Sequence, residues 1–86
     1  MGNEVTEKYR DRFIKLGLAI AATRKLQNLS QEKLADKAGI SRSLLSYIEA
    51  PGCAKSFSLE VLFRIADALE VDAVSLLQAE IPVSTK

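Results

Sequence analysis

Residues 30–50 read SQEKLADKAGISRSLLSYIEA. Two short runs patterned for helix stand back to back, each opening on a serine, with only Gly39 and Ile40 between them. Ser30 and Ser41 are the residue type that caps helix amino termini, because the hydroxyl accepts a hydrogen bond from an unpaired N–H of the first turn. Gly39 breaks the first run, since it takes positive φ without steric cost. So short a joint makes the two helices, Gln31 to Ala38 and about Arg42 to Ala50, cross instead of lying flat. Leu34, Ala38, Ile40, Leu45 and Ile48 fall on the inner side of the bend, and Ala35 sits at the crossing, where a larger side chain would push the helices apart. On pattern alone this corner fits two readings. One is a helix-turn-helix whose second helix stands proud enough to enter a DNA major groove; the other is a plain corner in a small bundle.

The rest of the chain is patterned for helix as well. Tyr9, Phe13, Leu16 and Ile20 recur at spacings of four, three and four, one apolar stripe on a first helix from about Glu7 to Gln27. Asn28 tolerates the left-handed conformation that ends helices. Ser58 caps a fourth helix, Leu59 to Leu69, with Leu59, Leu62, Ile65, Ala66 and Leu69 expected inside. Asp72 is expected to cap a short fifth helix, Ala73 to Gln78. No alternating run of β-branched residues predicts a strand. The expected architecture is all-α, a compact five-helix bundle in one domain over residues 1–86, with flexible ends at about 1–6 and 80–86.

Composition narrows the function. The 86 residues are 48% hydrophobic and 27% charged, enough for one core. No stretch is long or apolar enough to span a membrane and no signal-peptide pattern is present, so a cytoplasmic location is expected. The one cysteine, Cys53, excludes an internal disulfide. No neighbouring charge or second thiol would activate it for redox work. There is no histidine, and the four glycines form no phosphate-cradling loop. No enzyme, cofactor, metal or small-molecule effector is therefore expected. Net charge is only +1, but residues 1–56 hold 10 Lys/Arg against 6 Asp/Glu while residues 57–86 hold 2 against 5. The amino-terminal two-thirds is the part a polyanion would meet.

The run LSQEKLADKAGISRSLLSYIE, residues 29–49, closely resembles the Cro and phage-repressor, or XRE-like, helix-turn-helix family. The family shows a Leu-Ser-Gln-x-x-Leu-Ala opening, a glycine turn and a second helix ending in Ile-Glu. The likeness reaches upstream to Arg24 and downstream through SLEVLFRIADALEV, over about residues 13–77. One departure lies after Glu49, where Ala50-Pro51-Gly52 replaces the family's usual Asn-Gly and lengthens the loop by about two residues.

The resemblance implies a lambda-repressor-like fold and double-stranded DNA as partner. It implies that Gln31, at the start of the second helix, holds a phosphate and braces the third, and that Arg24 and Glu49 form an ion pair joining the first helix to the end of the third. Arg42, Ser43, Ser46 and Tyr47 lie on the outer face of the third helix. Arg42 suits guanine O6 and N7 bidentately, the serines permit close approach, and Tyr47 suits a phosphate or a thymine methyl. Lys55, Ser56 and Ser58 are candidates for a second phosphate strand, with Arg10, Lys15 and Lys25 behind them. The leading expectation is a sequence-specific transcriptional regulator, working as a homodimer on a pseudo-palindromic operator. The first helix, with Tyr9 and Phe13, and the 73–83 region, with Val74, Leu77 and Ile81, are the dimerisation candidates. The alternative is an antitoxin-like module whose main role is to bind a partner protein.

Overall fold

A computed structural model of the chain describes residues 7–78. The expected flexible ends, and Ile81 with them, lie outside that range. A single 3-10 turn, Glu7–Tyr9, leads into α1, Arg10–Leu26; then come α2, Gln31–Ala38, α3, Arg42–Glu49, α4, Leu59–Leu69, and α5, Ala73–Leu77. The fold is all-α with five α-helices among the described residues. α2 packs on α3 and α4, α1 on α3 and α4, and α5 closes against α1 and α4.

Local chemistry sets the element boundaries. Ser30, Ser41 and Ser58 each accept a hydrogen bond from the N–H three residues on, that of Lys33, Leu44 and Val61. Three helices end in one motif, with the terminating residue in the left-handed region and the following N–H bonded to the carbonyl five residues back. Asn28 (φ 59), Gly39 (φ 71) and Glu70 (φ 60) take that position. The closing bonds run from Leu29 N to Arg24 O, Ile40 N to Ala35 O and Val71 N to Ala66 O. Each satisfies a carbonyl that the helix end would otherwise leave bare. α3 stops differently. Ala50 precedes Pro51 and is held extended at φ −78, ψ 117, as the steric demand of the proline ring requires.

The core is continuous. Ile20, Leu34, Leu45, Ile65 and Leu69 are fully enclosed, with Ile48, Leu62 and Leu76 beside them. Leu59 departs from the expected inward set: it is 67% exposed. It begins α4, and the buried positions start one turn later at Leu62. Phe13 is not surplus surface. Its ring meets Phe57 edge-on at a centroid distance of 5.9 Å, fastening the loop after α3 to α1. The Asp72 side chain makes no capping bond; its backbone carbonyl accepts from Ser75 N instead.

Two contacts fix α3 against α1. At Gly17 the α1 backbone lies against the carboxyl end of α3. A Cβ there would collide with the Ile48 carbonyl oxygen and lie 3.2 Å from its carbon. About two turns further along α1, Arg24 Nε and Nη2 donate to Glu49 Oε2 and Oε1, both at 2.9 Å. Arg24 is 8% exposed and Glu49 7%. Gln31 Nε2 donates to the same Glu49 Oε1 at 2.9 Å, and Arg24 Nη1 to Leu29 O at 2.7 Å. One carboxylate thus collects α1, the start of α2 and the end of α3.

Gly17→Ala is expected to lower stability by about 1–3 kcal/mol, the range for forcing atoms into a packed site. Gly52→Ala, where an added methyl meets nothing within 4 Å, should stay within about 0.5 kcal/mol. Urea denaturation of both variants separates them. Glu49→Gln strands the Arg24 charge and should cost up to about 3–5 kcal/mol, visible as a clear fall in Tm; an unchanged Tm would show that the pair does not brace the fold.

Candidate nucleic-acid interface

α3 divides cleanly into two faces. Leu45, Ile48 and Glu49 are buried and Leu44 is half-buried, while Arg42, Ser43, Ser46 and Tyr47 are exposed. These last four line one open concavity of about 350 Å³. The helix is eight residues long, too short to persist in water by itself. It holds its shape because its inner face is embedded in the core. The outer side chains are therefore presented by a rigid support.

Arg42 occupies the first position of α3, whose first turn carries no acidic residue. A guanidinium there opposes the positive end of the helix dipole, so nothing within the helix rewards its charge. Ser43 and Ser46 leave room beside it, and Tyr47, 53% exposed, forms the far rim.

Lys55 reaches the same rim from the following loop. Its ammonium stands 5.8 Å from the centre of the Tyr47 ring. Ser56 is half-buried in that loop. Gln31 sits elsewhere, half-buried at the amino end of α2, with its amide N–H committed to Glu49. That leaves its amide oxygen, and the backbone N–H groups of Gln31 and Glu32, to meet any ligand; the Lys33 N–H is taken by the Ser30 cap. Ser58 is occupied as a helix cap. Arg10 reaches toward Gly52 O at 3.4 Å, and Lys15 lines a different concavity with Arg12, Leu16, Leu76 and Leu77. Lys25 is exposed near the end of α1. The structure therefore gathers Arg42, Ser43, Ser46, Tyr47 and Lys55 at one place and Arg24, Gln31 and Glu49 at another.

Sequence reasoning passed over two residues that hold this arrangement. Gly17 was readable as an isolated glycine inside a helical pattern, a sign of close backbone approach. Gln27, whose Nε2 donates to Leu69 O at 2.8 Å across to α4, carried no such sign. No group of three or more His, Cys, Asp or Glu among the described residues is placed to hold a metal ion, and no helix among them is long and apolar enough to cross a membrane.

The helix-turn-helix family model matches residues 20–76, which include the whole of the corner and the core around it. Among solved structures, the restriction-modification controller protein C.AhdI from Aeromonas hydrophila is similar at a TM-score of 0.72 and 29% identity, over 77% of this chain and 97% of that one. Comparison with curated proteins gives no match. With the corner, the buried brace and the outward face of α3 all in place, the chain belongs to the XRE-like helix-turn-helix family of DNA-binding transcriptional regulators.

Proposed function

We propose that the protein works as a homodimer, one helix-turn-helix unit per chain, reading a pseudo-palindromic operator with α3 in the major groove. The observation that carries this is the single concavity on α3, where one arginine, two serines and a tyrosine stand outward on a helix locked from behind. Arg42 is assigned to a guanine, through the paired O6 and N7 acceptors that match its fork. Ser43 and Ser46 allow the helix close to the base edges, and Tyr47 takes a base edge or thymine methyl at the rim. Gln31, with the backbone N–H groups of Gln31 and Glu32, is assigned to a phosphate on one strand, and Lys55 and Ser56 to phosphates on the other.

Two copies are required by the size of the reading head. An eight-residue helix spans a few base pairs, and a second copy one helical turn away doubles the site. Val74 and Leu77 are the side chains assigned to the contact between copies: both are large, apolar and more than half exposed. The likeness to a restriction-modification controller makes control of transcription at a nearby operator the role to test first.

Selection of binding sites from a random duplex library should return two related half-sites in inverted order. Duplex affinity should fall steeply as salt rises. Arg42→Ala should relax preference at one base pair per half-site, by about 1–3 kcal/mol. Equal affinity for selected and random duplexes would favour a protein-binding module instead. In sedimentation, Leu77→Asp should shift the protein from dimer to monomer with its helical content intact; a variant that remains dimeric places the contact elsewhere.

A further inference from the structure

The contact between Lys55 and Tyr47 is made by two residues from different elements, and the fold fixes both. Tyr47 stands on α3. Lys55 lies between two anchors in the loop: Ala54 is buried, at a φ of 38, and Phe57 packs on Phe13 of α1. Lys55 itself is half-buried, so the start of its stem is set by the loop. From there its ammonium comes to 5.8 Å from the centre of the Tyr47 ring, within reach of the ring's negative face. A phenol on an exposed helix face otherwise exchanges among rotamers on the ps–ns scale. A cation over one face favours a single one of them.

We infer that Lys55 is a positioning residue for Tyr47: it holds the ring in the orientation that reads a base, so that a residue assigned only to a phosphate also sets sequence preference. This rests on the DNA-reading function proposed above. The physical content is a coupling. A lysine that touches only phosphate strengthens binding to every sequence alike. A lysine that also restrains the reading tyrosine changes the ratio between sequences. The loop carrying Lys55 begins at Ala50-Pro51-Gly52, after the end of α3, so the coupling joins α3 to that loop and lies outside the α2–α3 corner.

The test uses the full chain and four variants, Lys55→Met, Lys55→Arg, Tyr47→Leu and the double variant Lys55→Met with Tyr47→Leu. In free protein, the Lys55 ε-methylene protons should be shifted upfield by the ring, and that shift should vanish in Tyr47→Leu. On the selected operator, Lys55→Met should lower the salt slope by about one. It should also reduce the preference at the base pair that Tyr47→Leu affects, by about two- to five-fold. The double variant should lose no more of that preference than Tyr47→Leu alone, and Lys55→Arg, which keeps the cation, should restore it. An absent ring shift overturns the inference. So does a Lys55→Met variant that weakens all duplexes by one common factor. A wild-type protein that binds selected and random duplexes alike overturns the DNA-reading function and the positioning role with it, and is told apart by a ring shift that survives.

Discussion

The Glu49 carboxylate is the point at which three helices meet. Its two oxygens accept from Arg24 on α1, and one of them also from Gln31 on α2, while Glu49 itself ends α3. Removing a carboxylate and a guanidinium from water costs several kcal/mol per ion, and a buried pair regains this only when its geometry is good and its other hydrogen bonds are made. Here the geometry is bidentate, and the spare Arg24 N–H goes to the Leu29 carbonyl. No buried side-chain polar atom among the described residues lacks a partner. What such a pair supplies over an apolar replacement is direction. A fork on two oxygens at 2.9 Å fixes the spacing and the orientation of the helix segments it joins.

That orientation matters because α3 is short. Its inner face, Leu45 and Ile48, joins the core with Ile20, Leu34 and Ile65, but apolar contact alone is tolerant of small rotations. The backbone approach at Gly17 and the ion pair remove that tolerance at two points along α1. The orientation of Arg42, Ser43, Ser46 and Tyr47 is thus set by α1, with which they share no sequence neighbourhood. The near-zero net charge is no obstacle to a nucleic-acid partner: Arg42 stands on the exposed face of α3 and Lys55 at its rim, while the acidic excess falls in the last third of the chain.

What could be read in advance were features whose cause is local. Serine hydroxyls cap the helix that follows them, and Asn28 and Gly39 take positive φ with little or no penalty; the three serine caps and both terminators stand where those chemistries put them. The corner was legible because its spacing and its residue types agree. Leu59 was misassigned because periodicity gives the angle around a helix axis and not how far along that axis the neighbouring helix extends. Asp72 stands at the N-cap of α5 as expected, but the helix begins on the bond from Ser75 N to its backbone carbonyl and its carboxylate makes no capping bond. Glu70 adopts φ 60 with no glycine or asparagine to announce it; the closing bonds of α4 hold it there against its own preference.

The amino-acid order by itself thus determined the number of helices, where most of them begin and end, and which side of α3 faces out, since each follows from bonds within a few residues or from a periodic stripe. Only the tertiary structure decided that Gly17 is a contact point, that Gln27 reaches Leu69, and that Lys55 rests over Tyr47. Those three depend on which backbones approach one another across many intervening residues, and spacing along the chain carries no distance in space.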